Sequence, residues 1–435
     1  MRKVCSLVVI LICNVFALWQ ACLGLMQLFG LRSSNNVRYV LTGSFDNPGP
    51  YGGALAILMA VTVTYVVRCS RTSGRGGFMY WVSIISSLLC FIILPATMSR
   101  AAWFSLGVAM LLFGLSEYDL LSWSKHNKVR AAVICLFLLI VSAGVFLIKK
   151  DSALGRLHIW HMEVRAIIKN PWTGTGKGTI LGTYGKTQAE YFAAEPRNAT
   201  IVRIAGCPEY AFNEYLKVGV ERGLPRMLCA VVLSILILVA LLRFLPPAAY
   251  GFCALIVFSF FSYPLSAIRI ETEAEKQWKS IRYMSNLELY NDFIEELELL
   301  YEDLHSNYRY LYDLGYALHK IGDYERSNKI LVEGSKISSD PMFHNILGKN
   351  HMASGKYDLA EKEFLLSHHM VPSRIYPLFL LMTLKISISQ NVEAIEVGEK
   401  VIRMNVNERN SSMVEMRNQC KHKLDSLKNV LCSGV

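Results

Sequence analysis

The chain has 435 residues, 53% of them hydrophobic and 18% charged, whereas an ordinary soluble domain carries about a quarter charged residues. With a mean hydropathy of +0.32, that balance excludes an ordinary soluble protein of this length. The net charge of +11 does not argue for nucleic acid, because many Lys and Arg residues stand in hinges between apolar runs, where they orient a membrane chain and meet anionic headgroups.

The first apolar run, residues 4–29, exceeds the roughly twenty residues that cross a bilayer, and Arg2 and Lys3 precede it as a cytoplasmic anchor. It is longer than the apolar region of a cleaved signal and has no small-residue cleavage site, so it reads as an uncleaved span. Further spans are expected at 52–67, 78–96, 101–115, 129–148, 224–242 and 248–270. With the amino terminus inside, Arg68, Arg71, Arg75, Lys125, Lys128 and Arg130 all fall on the cytoplasmic side. Counting seven spans places the polar segment 149–220 outside, and the region after residue 270 with it.

Of the eleven cysteines, Cys5, Cys13, Cys22, Cys90, Cys135, Cys229 and Cys253 lie in apolar runs, as small buried hydrophobes do. There is no C-x-x-C spacing, and Cys420 and Cys432 are not expected to pair.

The last third is polar and contains an internal repeat. Gly315, Gly322, Tyr324, Ser327 and Leu331 recur 33 positions later as Gly348, Gly355, Tyr357, Ala360 and Phe364, close to the 34-residue tetratricopeptide period. The glycines permit turns, small residues let paired helices approach, and the tyrosines are expected to fill the gap between neighbouring repeats. Residues 379–401 read as a degenerate third copy, with amphipathic segments 287–304 and 413–431 capping the stack. Two domains follow: a transmembrane domain, residues 1–270, containing the loop 149–220, and a helical repeat domain, residues 271–435.

Three local features carry the chemistry. Arg100 stands between two apolar runs, where a charge is costly at membrane depth; it should sit at an interface or face a polar cavity, and its guanidinium suits bidentate phosphate binding. Arg156 begins an amphipathic helix through Ile168, with Leu157, Trp160, Val164 and Ile167 at helical spacing; that face is suited to a membrane surface. The third is Phe212, Asn213, Glu214 and Tyr215 leading to Glu221, Arg222 and Gly223. Trp160, Lys177 and Arg203 are candidate substrate contacts in the same polar segment. The run Gly174 to Thr179 lacks the spacing of a phosphate-cradling nucleotide loop, since Gly178 follows Lys177. His158 and His161 share a helix face without a third ligand, so no metal site is expected.

Taken in order, LTGSFDNPGPYGGALA (41–56), SRAAW (99–103), GRLHIW (155–160), NPWTGTG (170–176), AFNEYLKVGVERG (211–223) and VPSRIYPLFLL (371–381) make the chain similar to the O-antigen ligase family, in a form that ends in tetratricopeptide repeats. The resemblance implies an all-α fold: a polytopic, GT-C-like membrane helix bundle followed by a tetratricopeptide-type repeat domain. It implies an inner-membrane glycosyltransferase that takes a glycan from undecaprenyl diphosphate and joins it to lipid A core or protein, without metal, nucleotide or other cofactor. Membrane lipids surround it, a protein partner is expected on the repeats, and the loop and the repeats lie in the periplasm.

By motif position the two arginines that engage the carrier's diphosphate are Arg100 and Arg156, with Asn213 and Glu214 beside them in the catalytic set. Many family members have histidine at the position of Phe212, as a base for the acceptor hydroxyl. Phe212 cannot move a proton, so either Glu209, Glu214 or Glu221 does so or the acceptor is activated differently in this chain. A repeat-unit polymerase using the same carrier, or a membrane scaffold recruiting partners through its repeats, are the alternative readings.

Overall fold

The computed structural model describes residues 2–72, 77–118, 120–130, 132–133, 150–194, 198–263, 271–284, 289–404 and 410–433. Among these the regular elements are helices, with no strand. In chain order they are α1 (Arg2–Leu28), α2 (Pro48–Thr72), α3 (Phe78–Ile93), α4 (Arg100–Glu117) and α5 (Leu120–His126). The polar segment forms α6 (Lys150–Lys169), α7 (Ile180–Ala194), α8 (Ala199–Ile204) and α9 (Glu214–Arg222), and α10 (Leu224–Phe244) and α11 (Pro246–Phe261) follow. The tail forms α12 (Glu273–Met284), α13 (Tyr290–Leu299), α14 (Tyr301–Leu304), α15 (Tyr308–Lys320), α16 (Tyr324–Ile337), α17 (Met342–Ala353), α18 (Tyr357–Met370), α19 (Tyr376–Ser387), α20 (Asn391–Arg403) and α21 (Ser411–Ser433).

The chain divides into two compact units. The first is Met1–Ala153 with Tyr210–Gly219 and Leu224–Ile270; the second is Leu154–Glu209 with Val220–Gly223 and Glu271–Val435. A boundary at residue 270 counts the whole polar loop with the membrane half, whereas packing groups most of it with the tail.

In the first unit four helices among the described residues are long and apolar enough to cross a membrane: Ser6–Leu28, Pro48–Arg71, Phe78–Thr97 and Leu224–Phe244. This makes the protein a membrane protein by its helices. The seven expected spans are therefore not all spans of this kind. The run 101–115 is α4, with Arg100 and Glu117 at its ends, and 248–270 is a shorter apolar helix as far as Phe261. The run 129–148 lies for the most part outside the described residues.

Helix α2 lies at the centre, packed on α1, α3, α4 and α11. Small side chains allow that closeness: Ala17, Ala21, Ala56, Ala60, Ala101, Ala102, Ala109 and Ala254 are all in the buried cluster, with Tyr51 and Phe258 filling the spaces between them. A Cβ at Gly53 would overlap the Phe258 ring, so the close approach of α2 and α11 needs glycine there. In lipid there is little hydrophobic drive between helices, and polar side chains tie them instead. Asn14 donates to Ser83 at 2.9 Å and accepts from Ser86 at 2.8 Å, joining α1 to α3, and Ser87 donates to Thr62 at 2.8 Å, joining α3 to α2.

In the tail the 33-residue recurrence is a recurrence of helix pairs. Gly322 and Gly355 hold the turns α15–α16 and α17–α18 at φ +86° and +71°, a conformation that favours glycine. In the third pair Ser389 takes the turn position at φ 62°. Gly315 faces Leu331 and Gly348 faces Phe364, so each glycine of a first helix receives the large residue of its second helix. Ser327 and Ala360 are fully buried at the same crossing. Tyr357 does not have the expected gap-filling role: it is exposed, and Phe343, set against Gly334, fills the space between the first and second pairs.

Candidate functional site

Of the candidate residues, Arg100, Asn213 and Glu214 belong to the first unit, and Arg156, Trp160, Lys177 and Arg203 to the second. Each set is described within its own unit.

Arg100 is the first residue of α4 and follows a turn, Leu94–Thr97 with Met98 at φ 51°, that separates α4 from α3. Ser99 occupies the N-cap position with no side-chain cap hydrogen bond; its hydroxyl donates instead to the Gly49 carbonyl at 3.3 Å. Among the described residues the first amides of α4 are thus left without a side-chain acceptor, and a helix N-terminus carries partial positive charge. The Arg100 guanidinium reaches the Ser152 hydroxyl at 3.4 Å and, among the described residues, has no carboxylate partner. By contrast, Arg68 pairs with Glu117 at 2.5 Å, and Arg71 lies 3.6 Å over the Tyr118 ring and donates to the Glu117 carbonyl at 3.0 Å.

Beside the N-termini of α2 and α4, the segment between α1 and α2 is held rigidly by buried amides. Gln27 accepts from the Thr42 and Gly43 amides at 2.9 and 2.8 Å and donates back to the Gly43 carbonyl at 3.0 Å. Gln20 donates to Ser44 at 2.7 Å. This explains the polar LTGSFDNPG motif as a folded cap on apolar helices, since buried amides must be satisfied.

Asn213 is nearly fully buried and caps α9, its Oδ1 accepting from the Tyr215 and Leu216 amides, each at 3.0 Å. Those two hydrogen bonds give Asn213 a capping role at the start of α9. Glu214 stands in the first turn of α9 with Lys217 at 3.9 Å. Phe212 is set edge-on against Tyr263 at 5.7 Å, and Tyr263 in turn stacks face to face on Tyr210 at 4.3 Å. Phe212 therefore serves an aromatic cluster.

In the second unit α6 presents His158, Met162, Glu163, Ala166 and Ile167 inward. Of the apolar stripe, Leu157 and Val164 are exposed and Ile167 belongs to the inward face. Buried His158 faces Gln188 through Nε2 at 2.9 Å, and both His158 and His161 lie edge-on to Tyr191 at 5.7 Å. Burial lowers the His158 pKa, which keeps the ring neutral near pH 7. An added Cβ at Gly155 would lie 4.0 Å from the Ile204 carbonyl oxygen, so Arg156 on α6 and Arg203 on α8 occupy adjoining helices.

The NPWTGTG loop is shaped by its neighbour Val220–Gly223. The Thr175 amide donates to the Val220 carbonyl at 2.9 Å and the Gly176 amide to the Glu221 carbonyl at 3.0 Å. Gly174, Gly176 and Gly178 have φ of +70°, +108° and +79°, and Gly223, at +89°, leaves no room for a Cβ beside the Trp172 backbone. Lys177 is exposed on this loop. Of the carboxylates considered as bases, Glu209 is ion-paired to Arg309 at 2.7 Å and Glu221 is buried. Among the described residues no three His, Cys, Asp or Glu side chains converge.

Glu163 was not singled out in the sequence, and only its burial marks it. Among the described residues its Oε2 has no hydrogen-bond partner, and burial raises its pKa from 4.5 to about 8. A folded pKa above the unfolded one means that the protonated form stabilises the fold fully below pH 4.5, and that this stability is lost as pH rises toward 8. The variant Glu163→Gln is expected to flatten the pH dependence of thermal unfolding across that window and to raise the midpoint at its alkaline end. An unchanged pH profile would show that Glu163 does not carry this proton.

The fold thus defines an all-helical membrane protein with an arginine at the N-terminus of one of its apolar helices. Residues 85–231, a segment containing all of the candidate site residues and none of the tail, match the family model described as O-antigen ligase. Glycan transfer at a membrane, from a lipid-linked donor to an acceptor, is the general function that goes with this family. No curated protein matches the chain.

Proposed function

We propose that this protein transfers a glycan from undecaprenyl diphosphate to lipid A core or protein, at the periplasmic face of the bacterial inner membrane and without a metal or nucleotide. The polar loop and a tail of tetratricopeptide type lie on the same side. The observation that carries the reading is Arg100, which stands at an N-terminus of α4 without a side-chain cap and has no carboxylate partner among the described residues. Such a position favours an anion, and guanidinium matches phosphate oxygens in pairs.

Breaking the sugar–phosphate bond leaves negative charge on the diphosphate. A fixed cation that meets this charge as it develops stabilises the transition state more than the bound donor, which is what accelerates the step. Arg100 and Arg156 are each assigned this task. The acceptor hydroxyl must lose a proton as it attacks; with Phe212 inert, Glu214 is the carboxylate assigned to receive it. Trp160, Lys177 and Arg203 are assigned to contacts with the glycan and its carrier.

The test is transfer by the purified full-length protein in liposomes supplied with lipid-linked donor and each acceptor in turn. Glycan on lipid A core or protein is the expected product. Lengthened glycan on the carrier would make the enzyme a polymerase, and no transfer to any acceptor would overturn the reading.

A further inference from the structure

The second unit joins α6 to the helical tail through one buried side chain. Gln188, on α7, is only 1% exposed and uses both ends of its amide. Its Nε2 donates to the Gly206 carbonyl at 3.0 Å and to the Met370 carbonyl at the end of α18. Because both of these partners can only accept, the amide orientation is fixed and Oε1 must face the other way. There it accepts from the Tyr184 hydroxyl and meets His158 Nε2 at 2.9 Å, so His158 carries its proton on Nε2. His158 lies two residues after Arg156 on α6.

Around this amide, α7 is built to lie directly on the tail. It packs on α16 and α18. Gly182 and Gly185, one turn apart, face the Lys336 carbonyl and the Met370 side chain, where an added Cβ would overlap. Ala189 is buried further along the same helix. The chain after α8 is tied down as well: Ser339 donates to the Pro208 carbonyl at 2.8 Å, and Arg374, paired with Asp340 at 3.2 Å, donates to Cys207 Sγ at 3.0 Å. This surface of the tail is therefore occupied by the chain's own polar segment.

We infer that the tail acts as an internal brace for the Arg156 helix, with Gln188 as the positioning residue that links α18 to α6 through His158. The functional part of this inference rests on the diphosphate role proposed for Arg156. A misplaced cation loses much of its effect, since electrostatic stabilisation depends on a fixed geometry. The brace holds α6 at His158, two residues from Arg156, and Gln188 acts through that contact.

Hydrogen exchange on the full-length protein in detergent, compared with Gln188→Glu and Gly182→Ala, tests the brace. The first variant keeps an acceptor for His158 and Tyr184 but turns an oxygen toward the Gly206 and Met370 carbonyls. The second leaves Gln188 in place and sets a methyl group against the Lys336 backbone. Both are expected to speed exchange of α6 amides by about tenfold or more, as a buried hydrogen-bond network is broken, while α15 to α20 keep wild-type rates. With lipid-linked donor, kcat should fall by about an order of magnitude with little change in KM, the signature of a lost transition-state contact.

Unchanged exchange in α6 for both variants would overturn the brace, as would equal acceleration throughout the tail, which indicates general unfolding. Accelerated α6 exchange with wild-type transfer would overturn the positioning role. Should the wild-type protein itself show no transfer, the functional reading fails, and the exchange rates still decide whether the brace exists.

Discussion

Replacing Arg100 with alanine is expected to reduce glycan transfer by about 10²–10³-fold, the usual loss when one fixed donor to a developing anion is removed. The side chain has a single hydroxyl contact, at 3.4 Å to Ser152, and no carboxylate partner among the described residues. Its loss should therefore cost the fold little, unlike Arg68, whose removal would leave Glu117 without its ion pair. Membrane insertion and thermal unfolding of Arg100→Ala should remain at wild-type values. Arg100→Lys should recover only part of the rate, because an ammonium restores the charge without the paired geometry of guanidinium. The check is the liposome assay with lipid-linked donor at saturating concentration. Wild-type transfer by Arg100→Ala would remove Arg100 from the site.

The largest effect on stability is expected at the crossing of α17 and α18. Phe364 is 1% exposed, and its ring lies against Gly348. Phe364→Ala removes the ring and leaves a cavity that the paired helices can close only in part, a loss of about 3–5 kcal/mol. Gly348→Ala sets a methyl group into the same ring and is also destabilising. The two share one space, so the methyl group should cost much less in the Phe364→Ala background. Pulse proteolysis of the full-length protein in urea measures both changes. Additive effects would show that Gly348 and Phe364 do not share this space.

Much of the local architecture is legible in the residues. The apolar runs at α1, α2, α3 and α10 have the length and composition of membrane helices, and the all-helical class follows from them. The 33-residue recurrence marks both the turn glycines, Gly322 and Gly355, and the facing pairs Gly315–Leu331 and Gly348–Phe364. These features are readable because helical periodicity and turn stereochemistry are properties of neighbouring residues.

The environment of the candidate site is less legible. Arg100 is marked by its place between apolar runs, but Ser152, its partner, has no signal of its own. The stripe of Leu157, Trp160, Val164 and Ile167 gives the helix without giving its buried face; a neutral His158 and a protonated Glu163 take inward positions that polarity would assign to solvent. Asn213 is conspicuous in its motif, and its contacts are those of a helix cap.

By itself, then, the sequence determined the helical class, the long apolar helices, the recurring helix pairs of the tail and the likeness of residues 85–231 to the O-antigen ligase family model. Only the tertiary structure decided that Arg100 has a hydroxyl rather than a carboxylate beside it, and that most of the polar loop packs with the tail. It alone showed that Gln188 joins His158 to Met370, which lies 182 positions beyond Gln188. The physical reason is range. Periodicity and turn preference act over a few residues, whereas a hydrogen-bond partner or a buried face is set by whichever distant segment removes the water.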